Sequence, residues 1–240
     1  MSSTTNNPEN NRDGLKAALR GVAAGAAPAL LLCLLLGLSP LAAADREALA
    51  LAAVSISLPL GAAVAWPAQG TRQAGNVALA ALAAGGTLAL LLAFGDPTLL
   101  LRLGIWCAAA ALLGAAVASM ARNQWLGVAT AALWLFLCGL PFFCDHMGPL
   151  SSRMEDWALQ GCPWLGFAQD ALDTDPLRRP VMYLGKWSPL SDSPAGELLT
   201  AGTLWVAAAL AFAALVVRAG LPRPEPQPCK CCFPGPARGA

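Results

Sequence analysis

Six apolar runs, each about as long as a bilayer is deep, divide this chain: Val22 to Leu41, Ala48 to Pro67, Gly75 to Phe94, Leu99 to Ala121, Trp125 to Phe143 and Leu198 to Val217. About 20 helical residues rise about 30 Å, the depth of a hydrocarbon core, and a helix satisfies its own backbone where no water is present. The pattern predicts an all-α, polytopic membrane bundle of six transmembrane helices. It names no function.

Hydrophobic residues make up 57% of the 240, and charged residues only 12%, about half the share in a soluble domain. The excess apolar surface needs lipid to cover it. Ala and Leu dominate, which suits strong helices with little side-chain volume and close helix-to-helix approach. A net charge of +1 says little until the charges are sorted by side. The N-terminus, the second and fourth loops and the C-tail carry nine basic groups (Arg12, Lys16, Arg20, Arg72, Arg122, Arg218, Arg223, Lys230 and Arg238) against three acidic ones. The other loops carry six basic against eleven acidic groups. Because Lys and Arg near span ends stay in the cytoplasm, both termini are expected there and the long fifth loop outside.

The expected organisation is a disordered cytoplasmic tail over 1–14, five transmembrane helices over 15–143, an extracytoplasmic loop with short interfacial helices over 144–197, a sixth helix over 198–218 and a disordered Pro- and Cys-rich tail over 219–240. Basic residues, an apolar stretch and Ala42-Ala43-Ala44 before Asp45 also fit a cleaved signal peptide. The run outlasts a usual signal core and five more spans follow, so an uncleaved first helix is the plainer expectation. Short loops predict that successive helices pack as antiparallel neighbours. Gly21 and Gly25 form a small-xxx-small pair, a weak signal in a Gly- and Ala-rich chain. Trp66, Trp106, Trp125 and Trp205 read as anchors at the water boundary. No internal repeat relates the first three spans to the last three.

The fifth loop, Cys144 to Glu197, is the substantial polar segment. Met154 to Gln160 and Pro163 to Leu172 read as short helices, with Pro163 at a first helical position, lying flat on the outer surface or capping the bundle. Ser193-Pro194 reads as the cap and first turn of the last helix. Cys144 and Cys162 lie in a compartment where disulfides persist and are candidates for a pair. The alternative is two unpaired small side chains.

Cys229, Cys231 and Cys232 bring three soft donors within four residues and are candidate ligands for zinc or monovalent copper, although a structural zinc site normally has four. His146, beside Cys144 and Asp145, reads as a hydrated loop residue before a metal contact. Asp170, Asp173 and Asp175, followed by Arg178 and Arg179, read as a solvated loop and lack the spacing of a calcium loop. Cys33, Cys107 and Cys138 fall inside spans and are expected to pack as small apolar side chains. The spans are nearly free of ionisable groups: Arg102 sits near a span end, and Ser55, Ser57 and Thr87 can each bond to their own helix. No phosphate-loop, zinc-protease or nucleophile-elbow pattern occurs, so no catalytic residues, no cofactor and no enzymatic activity are expected.

Six spans with cytoplasmic ends and a long outer segment of short helices before the last span resemble the membrane subunit of ABC-2-type exporters. The stretch Cys162-Pro163-Trp164-Leu165-Gly166-Phe167-Ala168-Gln169-Asp170-Ala171-Leu172 is similar to the N-P-x-x-x-x-x-x-A-L loop of such permeases. Cys162 stands where that family has Asn, and the loop Pro67 to Ala74 is shorter than its coupling helix. The resemblance implies ATP-driven export with the ATPase on a separate cytoplasmic chain. The expectation is a membrane-spanning subunit of a transport complex in a bacterial cytoplasmic (inner) membrane, with the lipid bilayer, a cytoplasmic ATPase subunit and a second copy of the chain as partners, and no nucleic acid. The alternative is a non-transport scaffold or assembly factor that presents the outer loop and the Cys tail.

Overall fold

The computed structural model describes residues 8–37, 46–65, 71–92, 96–120, 124–146, 157, 159–172 and 199–221. Among them every regular element is a helix: α1 (Pro8–Gly37), α2 (Arg46–Val64), α3 (Thr71–Leu92), α4 (Pro97–Met120), α5 (Gln124–His146), α6 (Pro163–Phe167, continuing in wider π-helical turns over Ala168–Leu172) and α7 (Ala201–Gly220). Five are long and apolar enough to cross a membrane, over Gly14–Leu35, Glu47–Val64, Arg72–Leu92, Pro97–Met120 and Ala201–Gly220. The described apolar stretch of α5, Trp125–Leu140, is shorter than these. Large apolar side chains stand exposed on the outer surface, among them Leu30, Leu31, Leu34 and Leu35 on α1, Leu133 and Phe136 on α5, and Val206 and Leu210 on α7. In water such a surface would be strongly unfavourable; against lipid it costs nothing.

Helix α1 begins at Pro8, so residues 8–14 of the expected N-terminal tail are helical. Residues 1–7 and the tail from 222 onward lie outside the described residues.

Helix α4 is the hub, touching α2, α3, α5 and α7, with α1 held on the far side of α3. Sequence neighbours are therefore not always the main packing partners: α1 packs chiefly on α3, and only lightly on the adjacent α2. Glycine explains the departure. A Cβ at Gly25 would overlap the Ala80 carbonyl, and one at Gly21 would lie 3.2 Å from the Asn76 carbonyl oxygen. The two contacts advance together along both chains, so α1 and α3 run parallel at backbone contact. Likewise Gly61 meets the Ala111 backbone and Gly114 the Leu58 backbone between α2 and α4, and a Cβ at Gly85 would lie 2.6 Å from the Cys107 carbonyl oxygen between α3 and α4. Without a hydrophobic drive between helices in lipid, this close approach supplies the dispersion contact that holds them.

Two helix starts are fixed by side chains. Asp96 Oδ1 accepts from the Thr98 and Leu99 backbone N–H groups at 3.0 and 3.1 Å, and Pro97 takes the first turn of α4, an arrangement that spares the proline an amide it lacks. Helix α7 starts at Ala201 behind Thr200, not behind Ser193 as the sequence suggested; Ser193 and Pro194 lie outside the described residues. The Thr203 N–H donates to Thr200 Oγ1 at 3.2 Å and the Thr200 N–H to Thr203 Oγ1 at 3.0 Å. Each threonine satisfies the other's backbone, an exchange unavailable to Ser193, because the residue three positions on is Gly196 and has no side chain.

Candidate functional site, a re-entrant segment inside the bundle

The stretch from Leu159 to Leu172 neither lies flat on the bundle nor merely caps it. It enters the bundle. Leu159, Cys162, Pro163, Leu165, Gly166, Phe167 and Ala168 are buried, while Gln169 and Asp170 remain exposed. The helical path breaks at Gly161-Cys162: the Gly161 N–H donates to the Trp157 carbonyl at 3.0 Å, Cys162 is extended, and Pro163 opens the new helix. Irregular backbone is tolerated at membrane depth only where protein surrounds it.

Three contacts measure how far the segment reaches. The Trp164 indole N–H donates to Ser55 Oγ on α2. Phe167 meets Trp106 on α4 edge to face, with ring centroids 5.8 Å apart and planes at 82°. The Cys162 thiol donates to the Cys138 carbonyl on α5 at 3.6 Å. Ser55 and Trp106 are each nine residues past the start of their helix and Cys138 eight before the end of its own, about 12 to 14 Å from one end of the bundle.

Glycine again permits the fit. A Cβ at Gly166 would overlap the Leu199 carbonyl and lie 3.2 Å from the Trp106 ring. Trp106 is 1% exposed and belongs to the core with Leu103, Phe167 and Leu204, which corrects its reading as a boundary anchor. It faces another chain segment and is closed off from the surface. Among the described residues its Nε1 is the buried side-chain polar atom without a hydrogen-bond partner. Trp125, by contrast, is exposed at the start of α5, Trp205 is partly buried against the core, and Trp66 lies outside the described residues.

The polar groups of the bundle interior behave locally. Ser55, Ser57 and Thr87 donate their hydroxyls to the carbonyls of Leu51, Val54 and Ala83 at 3.0, 2.8 and 2.7 Å, all within their own helices. The Trp134 indole N–H, from α5, donates to the Val54 carbonyl at 3.2 Å. Ser55 thus has a second task, because its oxygen also receives Trp164.

At the shallow end, Arg102 donates to the carbonyls of Asp170 and Ala171, at 3.2 Å each. Its guanidinium caps the last turn of the re-entrant helix, where carbonyls lack helical partners. Asp170 Oδ2 accepts the Ala201 N–H at 2.8 Å at the start of α7. The segment is thereby tied to α4 and to α7 at once. Asp170 is engaged in this junction, and Asp173, Asp175, Arg178 and Arg179 lie outside the described residues.

Cys33, Cys107 and Cys138 are buried in α1, α4 and α5 as small side chains. Cys162 is 1% exposed and its thiol is free. The backbone of Cys144 and His146 belongs to α5, but their side chains lie outside the described residues, as do Cys229, Cys231 and Cys232. No group of three or more metal-binding side chains gathers among the described residues. Sequence reasoning missed Phe167 and Trp106 as the centre of this contact. The signal lay in Gly166, a residue without a side chain between two apolar ones in an otherwise polar loop. The chain matches no family model, no curated protein and no solved structure.

Proposed function

We propose that this chain is the membrane-spanning subunit of a transport complex, with six spans, both termini in the cytoplasm and the re-entrant segment seated in the extracytoplasmic end of the bundle. The observation that carries the reading is the depth of that segment, which fills the space between α2, α4 and α5 at mid-helix with Trp164 and Phe167. A helix placed there obstructs any path through this half of the bundle, so a transported molecule must displace it. The chain has no phosphate-binding loop of its own, and an energy-supplying ATPase is accordingly assigned to a separate cytoplasmic chain, as in the ABC-2-like architecture. The inner membrane of a bacterium is the proposed location.

Affinity purification from native membranes tests this directly. Recovery of a soluble ATPase in a fixed ratio to the chain is the expected result; the chain emerging alone, with no ATPase under mild detergent, overturns it.

One observation favours a second reading. The described interior is apolar and closely packed, with Ser55, Ser57 and Ser119 its buried polar residues, whereas a substrate path usually carries polar lining. A scaffold or assembly factor needs no such path. That reading predicts partner cross-links confined to the fifth loop and the C-terminal tail.

A further inference from the structure

The Cys162 thiol sits on the same patch of α5 as Cys138. Its sulfur is 3.6 Å from the Cys138 carbonyl oxygen. Cys138 is 3% and Cys162 1% exposed, and Trp164, two residues past Cys162, is anchored on Ser55. The two buried cysteines thus sit beside the contacts that hold the re-entrant segment.

We propose that Cys138 and Cys162 are a disulfide-forming pair that staples the re-entrant segment to α5. Cys144 lies six residues further along the same helix, about 9 Å away in rise, while bridged residues have Cα atoms about 4.4 to 6.8 Å apart. The proposal therefore pairs Cys162 with Cys138 in place of Cys144. The chemistry is a two-electron oxidation. Two S–H bonds break, one S–S bond forms, and two protons and two electrons pass to a disulfide-bearing oxidant, which becomes a dithiol. Once the segment is seated, both thiols are shielded. Exchange therefore starts at Cys162 before seating: its sulfur takes one sulfur of the oxidant as a mixed disulfide, and the Cys138 sulfur then displaces the oxidant as the segment docks. A supply of such an oxidant follows if this end of the bundle faces the extracytoplasmic space, so this part of the proposal rests on the topology proposed above.

The test uses the full chain in native membranes from cells given or not given diamide during its synthesis, with free thiols blocked by N-ethylmaleimide under denaturing lysis, followed by non-reducing digestion and mass spectrometry. A linked 138–162 peptide is expected in the diamide-treated sample, lost on reduction and in C162A, and retained in C144A. The proposal is overturned by a 144–162 link, or by diamide-treated protein in which Cys138 and Cys162 both take up label as free thiols after denaturation. The wild-type result stands even if a variant fails to fold. Reporter fusions to the termini separate the two claims: a 138–162 link with the termini outside keeps the pair and removes the topology.

Discussion

Individual side chains hold the re-entrant segment by unlike means, and substitutions distinguish them. Phe167 is fully buried against Trp106, so Phe167→Ala leaves a cavity and is expected to lower stability by about 3 to 5 kcal/mol. Trp125→Ala, at a residue 72% exposed, should change it by less than about 0.5 kcal/mol in detergent. Thermal unfolding of the two variants side by side checks the contrast. Trp164→Phe removes the indole N–H that Ser55 accepts together with part of a ring packed on the core, at a cost of at least about 1 kcal/mol. The reduced Cys162 thiol, 1% exposed, is expected to be alkylated at least about tenfold more slowly in the native chain than after unfolding, as timed labelling with iodoacetamide measures.

Helices in this bundle are positioned by where side chains are missing. Gly25 and Gly61 each lie against a neighbouring carbonyl, and neither neighbour can move without shifting its helix. Gly25→Leu is expected to separate α1 from α3, read as loss of an oxidised cross-link between cysteines introduced at Gly21 and Asn76. Alanine at Gly75, where nothing lies within 4 Å, should leave that link intact. The small-xxx-small pair in α1 was visible in the sequence, but its partner was not: Ala80 and Asn76 carry no mark that distinguishes them from other small and polar residues in the chain. The caps divide in the same way. Asp96-Pro97-Thr98 is a local signature of a helix start, readable from three adjacent residues. Asp170 on the Ala201 N–H joins residues 31 positions apart, and no local pattern announces it.

For the molecule as a whole, the apolar belt over α1, α5 and α7 requires a lipid or detergent surround, and extraction from membranes by alkaline carbonate is expected to leave the chain in the pellet. The charge asymmetry across the loops makes a second expectation at this scale, that reporter fusions at both ends score cytoplasmic. Helical character and membrane residence were already determined by the run lengths, because a stretch of about 20 apolar residues has one way to satisfy its backbone in hydrocarbon. The helical reading of Pro163 to Leu172 came from local rules too, a proline after a Gly-Cys break followed by apolar spacing. Its place did not. A short amphipathic helix buries its apolar face equally well in a headgroup layer or between other helices, and the choice depends on whether those helices leave room. Only the tertiary structure decided that, through Gly166 against Leu199, Phe167 against Trp106 and Cys162 against Cys138. Such contacts join residues up to 61 positions apart, and complementarity of shape at that separation is written in no single segment of the chain.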